Sequence, residues 1–210
     1  MVIRALFGGS FDPVHGGHVA LVQHLLDCEL AHVIHVVPAW HSPHKSETTE
    51  SPFHRLAMAN LAFDGDSPIV VDGREISNGA PCFSYDTLTA LQEKHPRDEW
   101  RLVIGADNLA NFHKWHKHAE LRACARIISV ARAGHASTRR SLEALGLSED
   151  EVIVAPSFSH NVSSTEIRKQ LSCQSSRSSA LSSLPAPVAD YIEKHNLYLS
   201  ALNTKDSTSR

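Results

Sequence analysis

Two observations predict an α/β fold with an open, mainly parallel sheet and helices on both faces. Short apolar runs alternate with amphipathic stretches along most of the chain, and the first run passes through a glycine-rich loop straight into a helical pattern. Val2-Ile3-Arg4-Ala5-Leu6-Phe7 is the first strand, and Val19, Val22 and Leu26, with Leu21 and Leu25, line one face of the helix that follows. Val33-Ile34-His35-Val36-Val37 is the second strand, stopped by Pro38. A polar loop over 38–50 leads to a helix from about Pro52 to Phe63, and Pro68-Ile69-Val70-Val71 is the third strand. Asn78-Gly79 signals a tight turn before a helix from about Tyr85 to His95. Trp100 to Gly105 is the fourth strand, after which Ala106-Asp107 opens another helix. Arg126 to Val130 is the fifth strand and Val152-Ile153-Val154 a short sixth. Ser163-Ser164-Thr165-Glu166 carries N-cap chemistry with a carboxylate in the first turn, so a helix begins there. The serine-rich stretch 172–183 reads as a flexible connection, followed by a final helix from about Ala186 to His195. Residues 1–200 form one domain in this scheme, and 201–210 a disordered polar tail.

Bulk properties narrow the function. With 210 residues, 42% of them hydrophobic, the chain can bury one sizeable core. A net charge of −3 offers no global attraction to nucleic acid or an anionic membrane, so an anion site must be built locally. Cys28, Cys82, Cys124 and Cys173 form no Cys-x-x-Cys pair, which argues against a disulfide framework or structural zinc and fits a reducing cytoplasm. Most of the 15 histidines are scattered through loops and element ends, and surface or satisfied side chains explain nearly all of them.

The segment Gly8-Gly9-Ser10-Phe11-Asp12-Pro13-Val14-His15-Gly16-Gly17-His18 stands out. A helix that starts right after a glycine loop presents unpaired N–H groups and a positive dipole end to an anion. His15 and His18 can donate to phosphate oxygens as charge builds in a transition state, and a bound triphosphate would raise their pKa values. Ser10 and Asp12 can hydrogen-bond locally. The segment is neither a Walker A loop nor a Gly-x-Gly-x-x-Gly fingerprint. The loops after strands one, two, four and six carry the unusual residues, and in an open α/β sheet they converge on one cleft at the carboxyl ends.

This segment resembles the His-x-Gly-His signature of the nucleotidyltransferase superfamily, and the chain from residue 2 to about 199 is similar to bacterial nicotinate-nucleotide adenylyltransferases. The resemblance implies a Rossmann-like sheet and adenylyl transfer from ATP to nicotinate mononucleotide. Catalytic roles fall on His15, His18, Lys45 and Arg168. ATP contacts fall on Gly8, Gly9, Ser10, Phe11, His18, Gly105, Asp107, Ser163, Ser164, Thr165 and Arg168. The mononucleotide falls to Ser10, His44, Lys45, Ser84, Trp115, His116 and Arg132, with Trp115 stacking on the pyridine ring and the His116 N–H on its carboxylate. Mg2+ is implied as an ion held mainly by ATP, without a protein cage.

Each assignment has a plain structural alternative. The Pro43-His44-Lys45 loop also reads as a solvated basic loop, Ser84 or Asp86 as a helix N-cap, Trp115 as a core aromatic, and Arg168 as a surface arginine on a capped helix. Phe112 belongs to the core. The chain departs from the family at Cys82, Phe83 and Ser84, where serine, tyrosine and threonine are usual, and at Ala133 in Arg132-Ala133-Gly134, where proline is usual. Relatives acting on pantetheine phosphate carry threonine where His15 stands, and cytidylyltransferases read Gly-Thr-Phe-Asp where Gly9-Ser10-Phe11-Asp12 stands. A catalytically silent nucleotide-binding module would not need all four of His15, His18, Lys45 and Arg168. Neither nucleic acid nor membrane is an expected partner, and self-association is left open.

Overall fold

The computed structural model describes residues 1–41, 49–65, 68–130, 142, 145–148, 150–156 and 162–199. Six strands, β1 (Ile3–Gly9), β2 (Val33–Pro38), β3 (Ile69–Val71), β4 (Glu99–Gly105), β5 (Arg126–Val130) and β6 (Val152–Val154), form one sheet in the order β3-β2-β1-β4-β5-β6. Every pair is parallel. The described helices are α1 (Gly16–Asp27), α2 (Pro52–Ala62), α3 (Arg74–Asn78), α4 (Ser84–Lys94), α5 (Ala106–Leu109), α6 (His118–Cys124), α7 (Ser164–Leu171), α8 (Gln174–Ser182) and α9 (Ala186–Lys194). A 3-10 turn covers Phe112–Lys114.

The strands are apolar on both sides because both faces are covered. Ala5, Ile34, Val103 and Ile128 pack with Val22, Leu25, Met58, Ile167 and Ile192 of α1, α2, α7 and α9. Their neighbours Leu6, Leu102, Ile104 and Ile127 pack instead with Leu88, Leu91, Phe112 and Leu121. The side-chain period of two thus divides one run between two cores, as expected of a parallel sheet. Phe112 is buried in the second core, as its sequence context suggested.

Three local expectations change. The serine-rich stretch 172–183 is not a loose connection, because it contains α8. Serine is an indifferent helix former, but tertiary contacts override that weak preference. Ala180 is fully buried, and Arg177 donates to the Leu171 and Leu197 carbonyls at 2.8 and 3.1 Å. Asn78-Gly79 does turn the chain ahead of α4, but as a helix end: Gly79, at φ 64°, closes the short helix α3, which the sequence pattern did not reveal. His35 also differs from the surface histidines. It lies mid-strand on β2 at 4% exposure, where burial, reinforced by the Arg4 guanidinium, lowers its pKa to about 4.

A depressed histidine pKa means that the fold prefers the neutral ring, so its contribution is complete above the unfolded value and is lost as pH falls through the folded one. Between roughly pH 6.5 and 4 the protein should therefore lose about 3 kcal/mol of stability on this account. Denaturant unfolding across that window should be visibly flatter in His35→Leu. An unchanged pH slope in that variant would remove His35 as the cause.

The strand order reverses between β1 and β4, the two central neighbours. Ligands of open α/β sheets bind outside the carboxyl ends of the strands at such a reversal. In this chain the position is flanked by Gly8-Gly9 at the end of β1 and Gly105 at the end of β4.

Candidate active site

The β1–α1 loop is shaped by its own side chains before any ligand is considered. A Cβ on Gly9 would sit 3.1 Å from the Phe11 ring, so glycine permits that ring to fold back under the strand end. A Cβ on Gly8 would meet nothing within 4 Å, which leaves the backbone there open to a ligand. His15 is the N-cap of α1: its Nδ1 accepts from the Gly17 N–H at 3.1 Å, and His18 Nδ1 accepts from the His15 N–H at 3.2 Å. This reciprocal capping box places the proton of each neutral ring on Nε2, the edge that can donate to a phosphate. The two rings stack with centroids 3.8 Å apart, and Phe11 meets the His18 ring edge-on at 5.0 Å. Capping and phosphate contact are therefore not alternatives for His15. One nitrogen accepts the cap hydrogen bond and the other carries the donor N–H.

Asp12 does not act locally. Its carboxylate is 2% exposed and accepts from the Thr49 and Glu50 N–H groups at 2.7 and 3.3 Å and from the Tyr198 hydroxyl at 2.8 Å. Burial, joined by the neighbouring carboxylate, pushes the Tyr198 phenol far above its ordinary range, so it remains a donor. Beneath the loop, fully buried Arg55 donates to the carbonyls of Ser10, Trp40 and Glu50 at 2.6, 2.8 and 3.3 Å. Arg168 reaches from α7 to the Asp12 carbonyl at 2.7 Å, and Ser164 donates to the Pro13 carbonyl at 3.0 Å. The loop is thus held from α2, α7 and the C-terminal segment together.

Above it lies a cleft of two adjoining lobes that share Gly8, Gly9, Ser10, Val103, Asn108 and Trp115. The histidine lobe adds His15, His18, Gly105, Val130 and Ser164. The second lobe adds Glu75, Cys82, Phe83, Ser84 and His116. Ser10 is buried in the shared floor, and its Oγ has no hydrogen-bond partner among the described residues. An orphaned buried hydroxyl between two lobes is a strong sign of a ligand contact, because leaving it unpaired costs free energy.

Most of the sequence-assigned residues come together here, with refinements. Ser84 lines the second lobe and is not the cap of α4, a position taken by Phe83. Trp115 is half-buried and lines both lobes, so it is not simply a core aromatic. Within the serine–threonine motif the roles divide. Ser163 caps α7 by accepting from the Glu166 N–H at 3.2 Å, Ser164 lines the cleft, and Thr165 is exposed with its hydroxyl 3.4 Å from Arg168 Nη2. Asp107 sits in the first turn of α5. His44, Lys45 and Arg132 lie outside the described residues, as does the tail 201–210.

Comparison with known proteins follows the same lines. The sequence model of the family described as Cytidylyltransferase-like matches residues 6–170. A protein of Idiomarina loihiensis named "Probable nicotinate-nucleotide adenylyltransferase" is 34% identical over 217 residues, covering 94% of this chain and 100% of that protein. Another of the same name, from Albidiferax ferrireducens, is 35% identical over 198 residues, covering 93% and 98%. The chain belongs to the nicotinate-nucleotide adenylyltransferase family. Its fold is that of the Plasmodium falciparum nicotinic acid mononucleotide adenylyltransferase complexed with NaAD, with a TM-score of 0.74 at 21% identity over 94% of this chain and 98% of that one.

Set beside this family, the residues that the motifs did not reveal are Arg55, Tyr198 and Glu75. Arg55 occupies an ordinary helical pattern, and Tyr198 lies close to the C-terminal tail. Glu75 is in a helix of five residues, too short to give a periodic signal. Asp12, inside the signature loop, reads from the sequence only as a local hydrogen-bonding residue, whereas its partners are Thr49, Glu50 and Tyr198. No described helix is long and apolar enough to cross a membrane.

Proposed function

We propose that this chain transfers the adenylyl group of ATP to nicotinate mononucleotide, giving nicotinate adenine dinucleotide and pyrophosphate. The observation that carries this function is the meeting of two lobes at Gly8-Gly9-Ser10, with the His15–His18 pair on one side and Trp115 reaching both. A dinucleotide product needs two base-sized compartments joined where its pyrophosphate forms. A phosphate oxygen of the mononucleotide attacks the α-phosphorus in line, and the bond to the α,β-bridging oxygen breaks as pyrophosphate leaves. No covalent protein intermediate is needed, so catalysis is positioning plus charge stabilisation.

In this scheme the Nε2 edges of His15 and His18 and the N-terminus of α1 face the triphosphate, which arrives as its magnesium complex. The ion is held mainly by ATP and water. Arg168 and Lys45 neutralise the remaining phosphate charge, beside the N-terminus of α7 at Ser164. Gly105 and Asp107 receive the adenosine. Trp115 stacks on the pyridine ring in the second lobe, where Ser84 and the His116 N–H meet the carboxylate, and His44 and Arg132 contact the phosphate side. The four cysteines are unpaired, which suits a reducing, cytoplasmic setting.

The decisive assay is pyrophosphate release from ATP with nicotinate mononucleotide or nicotinamide mononucleotide as acceptor. Release with nicotinate mononucleotide supports the assignment, and none with either mononucleotide rejects it. Trp115→Ala should raise KM for the mononucleotide about tenfold, the order expected for one aromatic stack, with a smaller change for ATP. An unchanged mononucleotide KM would return Trp115 to a packing role.

A further inference from the structure

Glu75 is out of place in this cleft. Both substrates bring phosphate groups and one brings a carboxylate, yet Glu75 is a carboxylic acid at 7% exposure in the wall of the second lobe. It is the one acid among the described side chains lining either lobe. Its Oε1 accepts the Thr87 hydroxyl at 2.7 Å, the one hydrogen bond found for its carboxyl among the described residues. The guanidinium that acts on it electrostatically, Arg74, is committed to Asp72 by two bonds of 2.6 and 2.9 Å, and Glu75 makes no ion pair among the described residues. Around it the lobe presents Val37, Ala39, Leu102 and the rings of Phe83 and Trp115, a lining suited to a flat ring.

An uncompensated buried anion is costly, and in a site for anions it also repels the ligand. That conflict disappears if the ligand brings a cation to this wall. Apart from the magnesium that travels with the triphosphate in the histidine lobe, the proposed substrates bring one such charge, the quaternary pyridinium nitrogen of the mononucleotide. We propose that Glu75 is the counter-charge to that pyridinium and selects the oxidised, charged ring over an uncharged ring of the same shape. It works with the π-face of Trp115, since an aromatic face and a carboxylate both favour a cation. Glu75 is then a specificity residue of the second lobe, and its role rests on the assignment of a pyridine mononucleotide as acceptor.

The test compares nicotinate mononucleotide with its chemically reduced dihydropyridine form, which keeps the phosphate, ribose and carboxylate but loses the ring charge. The wild-type protein should favour the pyridinium form in kcat/KM, and Glu75→Gln should reduce that preference by about tenfold, the order of one close charge pair at partial burial. KM for ATP should stay the same. The glutamine carbonyl can still accept from Thr87, so the link to α4 survives. Folding should survive too. Burial pushes the Glu75 carboxyl up, so its ionised form works against the fold at neutral pH, and the amide removes that penalty. Thr87→Val serves as the structural control: it breaks the tie but keeps the charge, and should leave the ring-charge preference intact. Equal losses for both acceptors in Glu75→Gln, or a wild-type protein that does not distinguish them, would overturn the counter-charge role. Failure of the wild-type protein to use either mononucleotide would instead reject the acceptor assignment beneath it.

Discussion

His18→Ala should lower kcat by about 10²–10³-fold, or about 3–4 kcal/mol of transition-state stabilisation, while changing KM for ATP only a few-fold. The asymmetry follows from where the charge appears. Negative charge grows on the departing pyrophosphate and on the oxygens of the α-phosphorus only as the bond breaks, so a donor placed there acts mainly on the transition state. The variant also loses one half of the capping box, because His18 Nδ1 accepts from the His15 N–H. About 1 kcal/mol of stability should go with it. His18→Gln separates the two effects, since glutamine at this position can restore the cap but not a cationic donor. Its thermal midpoint should return toward wild type while its turnover stays at least about tenfold low. Near-normal turnover in His18→Gln would assign His18 to the cap alone.

Arg55→Met should have the largest effect on stability. It leaves the carbonyls of Ser10, Trp40 and Glu50 without their donor and leaves the buried Asp12 carboxylate with less compensating charge. Removing one member of such a buried network costs about 3–5 kcal/mol, which corresponds to a fall of about 10 °C or more in Tm for a domain of this size. Because the Ser10 carbonyl is one of the three acceptors, ATP affinity should weaken in the surviving folded fraction as the loop loses its floor. Arg55→Lys should recover little, since an ammonium cannot span three carbonyls as a guanidinium does. A midpoint within 2 °C of wild type, on the scale of an ordinary surface change, would show that Arg55 is not what fixes the loop.

The elements legible in the sequence were those whose signal is local. The six strands could be read because each is a short apolar run, and Arg126–Val130 and Val152–Val154 have the expected limits. The N-cap at Ser163 was legible from its own side chain and the carboxylate three residues on. The α8 helix was not, because serine composition favours loops while the contacts of Arg177 and Ala180 that hold the helix come from other segments. The same division runs through the site. Gly8, Gly9, His15 and His18 announce themselves by spacing. Glu75 and the three-residue arrangement of Asp12, Arg55 and Tyr198 do not.

By itself, then, the sequence determined the class of fold and the signature loop, since both are written in neighbours a few residues apart. Tertiary structure decided what supports that loop and what shapes the second lobe. Asp12 and Tyr198 are 186 positions apart, and Thr87 meets Glu75 across the α3–α4 connection. Pairing over such separations depends on how the helices return across the sheet, and no local pattern encodes it.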